Sequence, residues 1–365
     1  MSRSTFVLIG FVLVIAAIVG ISFFLKNQPI RDITIAVDPL ALDWAKKAAE
    51  EFNASSPMVQ NGTQPIRIQV ISKTDLDVWL DNPWSIDNHP DGWLASSSAS
   101  VSYSPGSYPF RIVKPSTAMT PLVWGGLQTR MDILTADGMQ PLDWNIIADA
   151  ASKGSWQKIG GDSSWGYLNI AVNAPSSSMA GLGVPLSAAA SFHESPTLSR
   201  QELNDQAFIK WFNPVIEAMR NARRIGGNPA EALGGARGSS AFDIAILPES
   251  QWLTALNVLS KGEAVSLSYP PQQYILDFPL SAWQDTQQAD PIATEAVKVF
   301  GDFLLSATGQ SLAADYGLRP VSGLPEENLL FTRASNLGIQ LEPVWDFIVN
   351  NPNHTEAERL SHLFD

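Results

Sequence analysis

The run Asp32-Ile33-Thr34-Ile35-Ala36-Val37 is apolar and β-branched after its first residue, and it reads as a buried strand. Leu42, Ala45, Ala49 and Phe52 then recur at helical spacing, and Ile66, Ile68 and Val70 alternate as strand residues do. Strand, helix and strand in that order make a βαβ unit. Working outward, strands are expected near Arg111 to Val113, Leu122 to Trp124, Tyr167 to Val172, Asp243 to Leu247 and Ala264 to Tyr269, with helical segments between them. A helix over Pro291 to Leu305 opens on proline and carries Ala296, Val299, Phe300 and Phe303 on one face. This alternation predicts an α/β chain, with mixed or parallel sheets covered by helices. Gly234 to Ser240 reads as a loop, and no internal repeat is present.

Length and charge narrow the function. At 365 residues the chain is long enough for two domains, and its 45% hydrophobic and 16% charged content is that of a globular protein. A net charge of −13 argues against a general nucleic-acid or anionic-membrane surface. The absence of cysteine excludes disulfides, thiolate nucleophiles and zinc-thiolate sites. Phe6 to Leu25 carries no charge and only Ser22 as a polar side chain, close to the roughly 20 residues that cross a bilayer. It is expected to be a single-pass membrane anchor or an uncleaved signal, because the sequence around Phe23-Phe24-Leu25-Lys26 lacks a small-residue cleavage site.

Two hydroxyl clusters are the candidate site. Pro90-Asp91-Gly92-Trp93-Leu94-Ala95 reads as a short strand running into Ser96, Ser97 and Ser98; Pro175-Ser176-Ser177-Ser178-Met179 follows the strand ending at Val172 and begins a helix. In an open α/β sheet, ligands bind beyond the carboxyl ends of the strands. A helix starting at Ser178 would add free N–H groups and its positive dipole end, so the two clusters are expected to face each other across one cleft. The competing structural role for any one of these serines is a cap or a turn. Enzyme signatures are missing: His89, His193, His354 and His362 form no metal pair, and there is neither a nucleophile elbow nor a phosphate-cradling glycine loop. No cofactor is expected.

Over Asp32 to Pro320 the chain resembles bacterial extracellular solute-binding proteins of the two-lobed, periplasmic-binding-protein-like type II, in the molybdate-binding-like group. The segments that carry the resemblance are Pro90 to Ser98, Thr120-Pro121-Leu122-Val123-Trp124, Pro175 to Gly181, Asp243 to Glu249 and Ala313-Ala314-Asp315-Tyr316-Gly317-Leu318-Arg319-Pro320. The resemblance implies two lobes joined by hinge strands, placed here near Leu122 to Trp124 and Ala264 to Tyr269. Lobe 1 would be 30–122 with 268–365, lobe 2 would be 123–267, and 1–29 would be the anchor. It further implies a small polar solute between the lobes, delivery to an ABC-type permease and a body outside the cytoplasm. Thr120 resembles a hydroxyl contact of molybdate-type binders. Asp38 departs from the pattern: it would repel an anion and instead suits a cationic or hydroxylated ligand. Trp124, Trp165 and Tyr269 are the aromatics expected nearest the cleft, where they could stack on a sugar or an amine. The rival function is a membrane-tethered sensor or a docking module of the cell envelope.

Overall fold

A computed structural model of the chain describes residue 15, residues 28–220, 227–236, 238–288 and 290–362. The expected anchor lies almost wholly outside them. Among the described residues, no helix is long and apolar enough to cross a membrane.

Two sheets form two lobes. The first contains β1 (Arg31–Val37), β2 (Met58–Val59), β3 (Gln64–Ser72), β4 (Gly92–Leu94), β5 (Phe110–Lys114) and β11 (Leu280–Trp283), in the order β2-β3-β1-β4-β11-β5. The second contains β6 (Thr120–Leu127), β7 (Ile170–Val172), β8 (Ile244–Pro248), β9 (Val265–Ser268) and β10 (Ile275–Leu276), in the order β10-β6-β8-β7 with β9 also on β6. The leading βαβ unit is present, with helix Leu42–Ala54 between β1 and β3, which run parallel.

Side-chain alternation explains why both sheets are covered twice. On β1, Ile33, Ile35 and Val37 join a core with Phe52 and Phe300 of helices Leu42–Ala54 and Pro291–Leu304, while Ala36 points to a second cluster with Trp93, Phe110 and Trp283. Within the second sheet, Leu122, Trp124, Ile244 and Ile246 meet helices Trp144–Lys153, Met179–His193 and Gln206–Arg220. Val123, Ala245 and Leu247 face the other way, toward Trp252 and Phe331. At β4, Gly92 permits close approach: a Cβ there would lie 2.7 Å from Ile35 Cδ1.

The chain passes between the sheets at 115–119 and again at 277–279, because β6 and β9 pair wholly within the second sheet. Leu122 to Trp124 and Ala264 to Tyr269, expected as the crossings, thus lie in β6 and β9 of the second sheet. A third passage lies at Arg319, whose backbone exchanges hydrogen bonds of 2.7 and 2.8 Å with Met119. The expected loop at 234–240 is partly helical, with turns at Pro229–Gly234 and Gly238–Ser240.

Candidate functional site

Register fixes what lies between the lobes. Val37 pairs with both Ser72 and Leu94, so the chain leaving β1, β3 and β4 emerges along one edge at Asp38, Lys73 and Ala95. In the other lobe Val172 pairs with Ile246, which brings Asn173 beside the end of β8 and the start of helix Glu249–Thr254. A cavity of about 310 Å³ lies between these edges. Asp38 and Thr74 line it from the first lobe, and Asn173, Ser177, Ser178 and Gln251 from the second, with Leu40, Val172 and Pro229 as its apolar wall. A smaller cavity of about 230 Å³ shares Pro39, Leu40 and Gln251 and adds Trp44 and Tyr316.

The second-lobe wall is made by a helix start. Ser178 is the N-cap of Met179–His193; its Oγ accepts from Gly181 N at 3.0 Å and donates to Ala174 O at 3.4 Å. Ser177 Oγ donates to Ala174 O at 3.1 Å and remains exposed. Gly181 lets the helix sit against the preceding loop, since a Cβ would lie 2.4 Å from Ala174 C and O. Asn173 Nδ2 donates to Gln251 Oε1 at 3.0 Å, joining the ends of β7 and β8. The N–H groups of the first helical turn and the dipole therefore point at the cavity.

In the first lobe the wall is a buried carboxylate backed by another. Asp38, 4% exposed, accepts from Leu40 N at 3.0 Å and from the Asp75 backbone N–H. Asp75 is fully buried; its Oδ2 accepts from Ser96 N at 2.9 Å, Ser96 Oγ at 2.8 Å and Ser100 Oγ at 2.6 Å, and its Oδ1 has no partner. Burial, reinforced by Asp75, raises the Asp38 carboxyl well above its ordinary range. Burial also lifts Asp75 to about 6, against the pull of the two serine hydroxyls.

The serine clusters do not share this cavity. Ser96 and Ser97 are each 1% exposed. Ser96 holds Asp75, and Ser97 caps helix Ser98–Tyr103 through Ala99 N at 3.3 Å. Ser98 donates its backbone N–H to Asp277 Oδ1 at 2.8 Å and lines a separate cavity. Ser176 is exposed in the turn before Ser177. Thr120 is buried and accepts from Ser250 N at 3.0 Å, while Trp124 is a core ring 4.9 Å from Trp144. Tyr269 is buried beside Glu249 and Arg319, whose ion pair measures 2.6 Å. Trp165 lies under the Arg130 guanidinium at 3.4 Å. The expected aromatics thus have their partners within the protein. Thr74, Asn173 and Gln251 were not anticipated from the sequence, although each follows a strand end, because a search for hydroxyl clusters passes over a single threonine and amides.

Comparison with known proteins agrees with the architecture. The family model described as bacterial extracellular solute-binding protein matches residues 128–319, more than half of the chain. No curated protein sequence matches. Among solved structures, the maltose-bound MalE3 of T. maritima is similar at 14% identity and TM-score 0.58, covering 90% of this chain and 92% of that one. A solute-binding protein of Thermotoga lettingae bound with α-D-tagatose matches at 12% identity and TM-score 0.57, covering 92% and 93%. The cyclic α-maltosyl-1,6-maltose binding protein of Arthrobacter globiformis matches at 11% and 0.55, covering 92% and 94%. At such identities the structural likeness concerns the fold. The resemblance to a molybdate-binding-like subgroup is not what these structures show; the ligands named for them are sugars. With its two covered sheets, its lobe-spanning cavity and the matching family model, the chain belongs to the bacterial extracellular solute-binding proteins, which bind their ligands without converting them.

Proposed function

We propose that this protein captures a small, neutral, polyhydroxylated solute between its lobes and presents it to an ABC-type permease. The observation that carries this reading is the lining of the 310 Å³ cavity: hydroxyls, amides and one carboxyl from both lobes, with no cationic side chain among the described lining residues. Such a set exchanges hydrogen bonds with many hydroxyls but does not balance a phosphate or an oxyanion. Asp38 accepts from a hydroxyl or, protonated, donates to one; Ser177, Ser178 and Thr74 do either, and Asn173 and Gln251 offer amide groups. Half-buried Tyr316 in the adjoining cavity is placed to cover a sugar face. The sugar ligands named for similar folds support the same class.

Closure of the lobes about 115–119 and 277–279 is the proposed capture step. The uncharged run Phe6 to Leu25 is proposed to tether the body to the membrane from outside.

Titration with maltose and with α-D-tagatose, read by melting temperature and by small-angle scattering, tests the reading. A sugar that binds between the lobes raises the melting temperature and reduces the radius of gyration together. Saturable binding of molybdate or sulfate, with no response to sugars or polyols, would overturn it.

A further inference from the structure

We propose that the chain carries a second small-molecule site, distinct from the cavity at Asp38, which takes a hydrogen-bond-donor-rich molecule: a polyol or an amine. It lies where the C-terminal segment passes over the first lobe. The cavity there is about 530 Å³, larger than the one at Asp38 and sharing no lining residue with it. Ser98 and Ser102 come from the first lobe, Asp277 from the return passage, and Asn350 and Asn351 from the C-terminal segment, over the apolar side chain of Met119.

The two asparagines are held differently: Asn350 by the second lobe alone, Asn351 by both. Val349 N donates to Gln273 O at 2.8 Å, and Gln273 N to Phe347 O at 2.9 Å, laying the segment along the second lobe. Asn350 is fixed to that lobe through its N–H to Pro196 O at 2.8 Å and its Nδ2 to Thr197 Oγ1 at 2.7 Å. Asn351 bridges the lobes: its Nδ2 reaches Ser97 Oγ of the first at 3.5 Å, and its Oδ1 accepts from Tyr274 Oη of the second at 2.7 Å. One residue further, Pro352 O accepts from Tyr103 Oη.

These bonds fix the polarity of the cavity. Each amide nitrogen uses one of its two N–H groups within the protein, and the Ser102 hydroxyl hydrogen goes to Ala99 O at 2.7 Å. Asp277 accepts from the Ser98 backbone N–H at 2.8 Å, from the Ser98 hydroxyl and from its own backbone N–H, which leaves about one of the roughly four lone-pair sites of a carboxylate. The valences left are therefore mainly acceptors, the Asp277 carboxylate, Asn350 Oδ1 and the Ser102 oxygen, with one N–H on each of the two amides beside them. Hydroxyl or ammonium groups complete such a lining; a phosphate or carboxylate does not. Because the segment is tied to the second lobe at Asn350 and to the first through Ser97 and Tyr103, an occupant would also bear on the angle between them.

Nuclear magnetic resonance of the isotope-labelled protein tests this with ribitol and putrescine as probes and inorganic phosphate as the control. Saturable shifts of the Asn350 and Asn351 side-chain amides and of the Ser98 backbone amide are expected with ribitol or putrescine, and none with phosphate; which probe answers distinguishes polyol from amine. Asp277→Asn should weaken the response by about tenfold. Ser102→Leu, which fills the cavity while leaving the Ser98–Asp277 bond, should abolish it. Ser178→Ala, in the other cavity, should leave it unchanged. The site is overturned by the absence of a saturable shift with both organic probes, by an equal response to phosphate, or by a response lost in Ser178→Ala and retained in Ser102→Leu. None of these outcomes bears on whether a sugar binds at Asp38.

Discussion

Ser96, Ser97 and Ser98, like Ser176, Ser177 and Ser178, are three hydroxyls in a row just beyond a strand, yet Ser96 and Ser97 are 1% exposed whereas Ser176 and Ser177 face solvent. The difference comes from a residue distant in sequence. Asp75 is driven into the first lobe by Leu76, Val78 and Trp79 of its helix, all buried, and its carboxylate takes up the hydroxyls of Ser96 and Ser100. In the second cluster the hydroxyls of Ser177 and Ser178 bond to backbone, Ser178 as a helix cap, and Ser177 stands at the cavity edge. A buried acceptor converts a serine into framework; a helix start beside a cavity leaves it available to a ligand.

The sharpest way to break this contrast is Asp75→Ala. It strands three buried donors, Ser96 N, Ser96 Oγ and Ser100 Oγ, and should cost about 3–5 kcal/mol in denaturant unfolding. A loss below about 1 kcal/mol would mean that the first cluster is not held by Asp75.

Proton linkage gives the next effect. Asp75 titrates at about 6 in the fold against an ordinary 3.8, so the native state holds its proton over a window where the unfolded state has released it. Stability contributed by the protonated group is full below about 4 and is lost as pH rises through about 6. The loss is on the order of 2–3 kcal/mol, and the raised Asp38 carboxyl acts in the same direction. Asp75→Asn should flatten the slope of unfolding free energy against pH between 4 and 6. An unchanged slope would place the titrating group elsewhere.

In the second cluster, Ser178→Ala removes an N-cap and should lower stability by about 1 kcal/mol. If its hydroxyl also meets the proposed solute, calorimetric affinity for that solute should fall by about 1–1.5 kcal/mol. Ser177→Ala should show the smallest stability change, within about 0.5 kcal/mol, and should weaken solute binding only. If Ser177→Ala destabilises the fold as much as Ser178→Ala, the two residues share a structural role and the contrast narrows.

The alternating periodicity of Ile33 to Val37, Leu42 to Phe52 and Ile66 to Val70 was enough to read the βαβ unit and the α/β class, because side-chain burial in a strand or helix has a fixed local period. The proline at Pro291 likewise marked a helix that the structure has at Pro291–Leu304. The resemblance carried by the motif order from Pro90 to Pro320 implied the two-lobed architecture, and it singled out Asp38, which lines the cavity. The roles of individual polar residues were decided by contacts between remote segments. Asp75 to Ser100, Thr120 to Ser250, Ser98 to Asp277 and Tyr269 to Arg319 are pairings whose separation no local pattern encodes. A hydroxyl or a tryptophan becomes framework or ligand contact according to which buried partner reaches it first, and that is set only once both lobes and the C-terminal segment have come together.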